Sequence, residues 1–228
     1  VGFTTGRYYH AMKAALVSLC VLVLPVALLP AQQVVRKYLE THGAKSAVME
    51  YGVATTGRGI LITSVGGGTS EEMLWVPGTG GVAWRQIEEG AGTDLRAERT
   101  GDAIRFSGMA KGKKVSREVK IDGEPWYQIF GPIIGELLPP DRQQRDFWVM
   151  NPDDLAPHKM MVRRAGMDRI TLAGVPTPAL KIHFSPAGAL APFWGADFWY
   201  RPGDSTWLYS RLPEGGGLTV TTIADPGK

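Results

Sequence analysis

Clusters of turn-forming residues recur about every ten positions from Ser46 onward, and that spacing limits the chain to short strands joined by tight connections. The first six are Thr56-Gly57-Arg58, Val65-Gly66-Gly67-Gly68, Pro77-Gly78-Thr79-Gly80-Gly81, Glu89-Gly90-Ala91-Gly92, Gly101-Asp102 and Lys111-Gly112. Gly, Pro and Asp reach, or pre-set, the backbone angles that turns require. The segments between them are alternating or β-rich and predict strands over 47–55, 59–64, 71–76, 82–88, 94–99, 103–109 and 115–121. A second series follows over 159–165, 168–173, 179–185, 193–200, 206–211 and 218–223, with a short strand at 147–149. Connections this short join antiparallel neighbours, so the expected fold class is mainly β, an antiparallel meander whose polar strand faces meet water. No fixed-period repeat points to a solenoid or propeller.

Two stretches break the strand texture. Residues 32–42 (QQVVRKYLETH) read as a short amphipathic helix, with Val34, Val35, Tyr38 and Leu39 on one face and Gly43 as the C-terminal cap. Residues 126–138 (WYQIFGPIIGELL) place Trp126, Ile129, Phe130, Ile133, Ile134, Leu137 and Leu138 at helical spacing. Gly131-Pro132 interrupts that run, so one or two short helices packed on the sheet are expected.

The N-terminus carries an export layout. Met12-Lys13 precedes AALVSLCVLVLPVALLPA, a short basic region followed by an apolar core that ends on a small residue. Met12 is the expected translation start, and cleavage is expected after Ala31. The alternative is an uncleaved anchor, for which the run is at the lower length limit and is interrupted by Pro25. Residues 1–31 are thus read as extension and signal, and 32–228 as a single β domain. The expected location is the periplasm. Cys20, the chain's one cysteine, lies inside the apolar core, so the mature chain offers no disulfide or thiol chemistry. The formal charge is +3, but Arg7 and Lys13 lie in a leader without acids, and 23 basic and 22 acidic residues remain beyond it. Lys111, Lys113, Lys114, Arg117 and Lys120 form the densest basic run and read as a solvated hairpin tip. No nucleic-acid partner is expected.

The aromatic residues concentrate in 191–212, which holds three of seven tryptophans, two of seven tyrosines and two of seven phenylalanines. It reads as a hairpin around Pro202-Gly203-Asp204-Ser205. Trp194, Ala196, Phe198 and Tyr200 form one nearly apolar face because strand side chains alternate. This face, with Trp126 and Phe130 of the interrupted run, is the candidate lining of an apolar cavity. Packed core filling is the competing reading, because aromatic side chains bury large areas. Asp197 and His183 are the candidate polar orienting groups; an ion pair of Asp197 with Arg201, Lys181 or Arg211 is the structural alternative.

Motifs for chemistry are weak. Gly108-Met109-Ala110-Lys111-Gly112-Lys113-Lys114 lacks the spacing and the hydroxyl residue of a phosphate loop. The chain contains neither G-x-S-x-G nor H-E-x-x-H, and His42, His158 and His183 are too far apart in sequence for a helical ligand pair. Glu71-Glu72 and Glu88-Glu89 are adjacent on strands, so their members face opposite ways. No catalytic residue, metal or cofactor is expected.

Three segments carry a family resemblance: EYGVATTGRGILI at 50–62, MLWVPGTGGVAWRQI at 73–87 and ADFWYRPGDSTWLYSRLPEGG at 196–216. With the export signal and the interrupted meander, they resemble the periplasmic lipoprotein-carrier superfamily (LolA/LolB-like). The resemblance implies an unclosed β-barrel with helices at its mouth. It carries over no functional residue, because no lipoprotein-binding signature is recognisable. The leading expectation is a monomeric, non-enzymatic envelope protein holding a lipid, an acyl chain or another apolar group. The alternatives are a structural module that docks an envelope protein, and an envelope hydrolase built around Asp197 and His183.

Overall fold

The computed structural model describes residues 33–152, 154–214 and 216–225. The expectations for the leader fall outside these residues. Fourteen strands among them form one antiparallel sheet. They are β1 (Gln33–His42), β2 (Lys45–Thr56), β3 (Gly59–Gly66), β4 (Thr69–Val76), β5 (Gly80–Glu88), β6 (Thr93–Thr100), β7 (Ala103–Ala110) and β8 (Lys113–Lys120). The second half comprises β9 (Gln144–Met150), β10 (Pro157–Leu172), β11 (Val175–Pro186), β12 (Ala196–Tyr200), β13 (Trp207–Glu214) and β14 (Gly217–Ile223). Every strand pairs with its neighbours in sequence, except that β8 and β9 do not pair with each other. β1 pairs with β14, joining the first half of the meander to the second. β8 and β9 are left as the two edges, so the barrel does not close.

The expected helix over 32–42 is instead strand β1. Tyr38 lies opposite Met49 on one side and Ile223 on the other, so ladders on both edges take up its backbone groups. The spacing was misleading because a strand divides the same four residues between its faces. Tyr38 points inward and is 2% exposed, whereas Val35 and Leu39 point outward at 51% and 45%.

The central excursion also differs from the expected helices. Among its described residues the regular structure is one 3-10 turn, Ile134–Leu137. Before it, the chain runs extended beside the β9 edge: Tyr127 N donates to Trp148 O at 2.9 Å and Trp148 N to Pro125 O at 2.8 Å. On the far side Gly81 N of β5 donates to Trp126 O at 2.7 Å. Such partners satisfy a non-helical backbone inside a protein. Gly131, at φ +101°, then turns the chain against Trp207, where an added Cβ would strike the indole.

This segment fills the concave side of the sheet. Trp126, Tyr127, Ile129, Ile134, Leu137 and Leu138 are at most 2% exposed. They pack with inward residues from both halves, such as Ile62, Met73, Trp84, Phe106, Phe184 and Phe198, in one cluster. Arg117 of β8 reaches over the seam, donating through Nη1 to Asp154 O at 2.6 Å in the β9–β10 connection.

Candidate functional site

The inward side chains of β12 behave as the alternation demands. Phe198 and Tyr200 are 2% and 1% exposed. Tyr200 donates its hydroxyl to Gly131 O at 2.8 Å, and burial raises its phenol well above the ordinary range. Phe184 of β11 is a hub, with ring centroids 5.2 Å from Phe130, 5.4 Å from Trp194 and 6.2 Å from Phe198. Trp126 is fully buried, and its Nε1 donates to Gln128 Oε1 at 3.1 Å. The five aromatic candidates therefore share the concave side, where Trp126, Phe198 and Tyr200 are packed core and Phe130 and Trp194 are half-buried around Phe184.

Asp197 and His183 lie on the opposite, convex face. They form a cross-strand pair, with His183 Nδ1 2.8 Å from Asp197 Oδ1 and Lys181 Nζ 2.9 Å from Asp197 Oδ2. Burial opposes the Asp197 charge, but His183 and Lys181 outweigh it and hold the carboxyl below its usual range. Trp199 belongs to the same outer cluster. Lys181 covers its ring at 5.1 Å, Tyr209 packs at 5.2 Å, and its Nε1 donates to Asp168 at 2.9 Å. Of the partners anticipated for Asp197, Lys181 is the one that forms an ion pair.

Open space on the concave side lies elsewhere. A cavity of about 200 Å³ separates β1, β2 and β3 from Pro132 and Ile133 and from the β12–β13 turn. Its aromatic wall is a triad. Tyr38 and Trp207 stack with centroids 4.4 Å apart, and Tyr51 meets both edge-on, at 5.4 and 5.3 Å. Tyr38 donates its hydroxyl to Trp207 O at 3.0 Å, which fixes the stack. Val34, Val53, Ile60 and Ile133 complete the apolar lining. The charged groups on the wall are Arg36, Glu136 and Asp204. Asp204 is engaged by Arg201 at 3.1 Å and by Thr206 N at 2.9 Å.

These residues were missed because reading 32–42 as a helix took Tyr38 and Arg36 off the sheet. The available signal was strand alternation, which puts Val34, Arg36 and Tyr38 on one face.

Further along the concave face the wall turns polar. The Tyr51 phenol faces Ser64, which acts against the rise that burial imposes on it. Glu71 has its carboxyl pushed up to about 7 by burial, with the Trp84 indole acting against that rise. Trp84 Nε1 is itself buried without a hydrogen bond of good geometry. His42 Nδ1 lies 2.8 Å from Thr219 Oγ1, which donates to Glu214 at 3.0 Å. Among the described residues no three His, Cys, Asp or Glu side chains group to hold a metal, and no helix is long and apolar enough to cross a membrane.

No family model and no curated protein matches this chain. Among solved structures it is similar to a β-barrel-like protein of the domain of unknown function DUF1849 from Brucella abortus, with a TM-score of 0.56 at 7% identity over 86% of this chain and 96% of that one. The fold is shared. Two further matches are more distant. The hypothetical lipoprotein YmcC from Escherichia coli K12 has a TM-score of 0.33 at 11% identity, over 88% of this chain and 86% of that one. A DUF1329 family protein from Desulfovibrio piger has a TM-score of 0.29 at 9% identity, over 87% of this chain and 88% of that one.

Proposed function

We propose that this chain is an exported bacterial envelope protein that binds a small apolar ligand on the concave side of its unclosed barrel and performs no chemistry on it. The observation that supports this most is the cavity of about 200 Å³ walled by Tyr38, Tyr51 and Trp207. For scale, an apolar cavity of about 150 Å³ admits a benzene ring. The space therefore suits one ring or one short chain. Burial of such a group supplies roughly 25 cal/mol per Å² before ordering costs. The export layout of residues 12–31 supports placing the protein in the periplasm.

Native mass spectrometry of protein purified from a periplasmic preparation, followed by organic extraction, tests this. A co-purifying apolar mass is expected. A bare mass, together with tryptophan fluorescence that no lipid or apolar probe shifts, would reject it.

A second reading has its own observation. Val35, Leu39, Val48 and Val65 lie on the convex face of β1–β3 at 45–56% exposure, and Leu39 is directly opposite Val48. Exposed apolar patches of this kind often mark protein contacts. Cross-linking in cells that captures one dominant envelope protein, lost on Val48→Lys, would favour a docking module.

A further inference from the structure

Two donors on the cavity wall are left without a well-formed bond. Arg36 lies half-buried on the inner face of β1, and among the described residues it forms no ion pair. Thr206 is 4% exposed, and its Oγ1 makes no hydrogen bond of good geometry, with only the Asp204 carboxylate beside it. The Asp204 carboxylate is held mainly by the Thr206 backbone N–H and by Arg201. A buried hydroxyl without a partner is unfavourable by about 1–3 kcal/mol, and such atoms are uncommon in native proteins. On the same wall the Tyr38 hydroxyl is occupied by Trp207 O.

We infer that the cavity takes a small apolar carboxylate, its ring or short chain against Tyr38, Tyr51, Trp207, Val53 and Ile60 and its anionic end held by Arg36 and the Thr206 hydroxyl. This rests on the apolar-ligand reading above and narrows it to one ligand class. A guanidinium is suited to a carboxylate because its planar N–H groups match the two oxygens. The Thr206 O–H adds a neutral donor. Glu136 is exposed at the same cavity and unfavourable to an anion, whereas the Asp204 carboxylate is offset by Arg201, so the ligand's carboxylate belongs on the β1 side. A ligand with an alcohol in place of the acid would keep the apolar contacts and lose the charge-assisted bond.

The test is calorimetric titration of the full chain with octanoate and with 1-octanol, for the native protein and for Arg36→Gln, Thr206→Val and Glu136→Gln. Octanoate is expected to bind about tenfold more tightly than octanol, the ratio that one hydrogen bond to a charged group supplies. Arg36→Gln should bring octanoate down to the octanol level and leave octanol unchanged. Thr206→Val should weaken octanoate by about threefold, the loss of a neutral hydrogen bond. Glu136→Gln should tighten it. Equal binding of acid and alcohol, insensitive to Arg36→Gln, overturns the carboxylate assignment and leaves the apolar-ligand reading standing. No binding of either overturns both. Arg36 is not in the packed core, so Arg36→Gln should melt as the native protein does, and Glu136→Gln gives a gain that misfolding cannot mimic.

Discussion

Tyr38 and Trp207 stack at 4.4 Å while the phenol of the first donates to the carbonyl of the second at 3.0 Å. One side chain thus makes an apolar and a polar contact with a residue far away in the sequence. It ties β1 to β13 and gives the cavity its flat wall. Tyr38→Phe keeps the stack and removes the hydrogen bond, and should lower unfolding free energy by about 1 kcal/mol. Tyr38→Ala should lower it by about 3–5 kcal/mol, as for other buried aromatics. Urea denaturation of the two variants measures both. Equal losses would mean that the ring contributes nothing.

Glu71 should make the fold sensitive to pH near neutrality. Its folded carboxyl titrates at about 7 because burial penalises the charge, above the ordinary 4.5. The folded state then holds a proton that the unfolded chain has released between these values. Stability attributable to this group is fully present below the lower value and lost as pH rises through about 7. Unfolding free energy should fall by about 2 kcal/mol from pH 5 to pH 8 through this residue. Glu71→Gln should flatten that part of the profile. A variant profile parallel to the native one would place the titration elsewhere.

Gly131 is held at φ +101° with no room for a Cβ beside Trp207. Gly131→Ala should destabilise the protein by about 2 kcal/mol or more, combining backbone strain with overpacking. The loss should appear first as faster hydrogen exchange in 127–138, because Tyr200 anchors that stretch through the Gly131 carbonyl. Unchanged protection there would show that the segment does not depend on this contact.

Asp197 pairs with His183 and Lys181 on the convex face, away from the cavity. Asp197→Asn should reduce stability by about 1 kcal/mol or less, as half-exposed ion pairs do. It should leave binding of any apolar ligand unaltered. A tenfold change in ligand affinity would contradict the placement of this pair outside the site.

The meander was legible because its turns are chemically explicit. The glycines at 66–68 and 78–81 and the Pro202–Ser205 corner mark connections that the structure contains. The split between faces in the closing hairpin was legible for the same reason, since period two is a property of the strand itself. What failed was any segment whose state depends on distant partners. Tyr38 is in a strand because Met49 and Ile223 flank it, and Ile223 is near the far end of the chain. Residues 126–138 have helical spacing, yet Gly81 and Trp148 capture the backbone at its start. The site suffered most. Asp197 and His183, read as polar orienting groups for that cavity, pair with each other across strands, but the aromatic face beside them points the other way.

Pairing β1 with β14 has a consequence for the order of events during synthesis. Every other adjacent pair can zip as soon as a short local hairpin leaves the ribosome, which is the fast kind of contact to form. β1 gains β2 at once, but its other edge stays bare until the last strand exists, because Tyr38 waits for Ile223. A bare edge bearing Val35 and Leu39 can recruit a stray strand from another chain. Of the strand edges that this sheet pairs, the outer edge of β1 therefore waits longest for its partner.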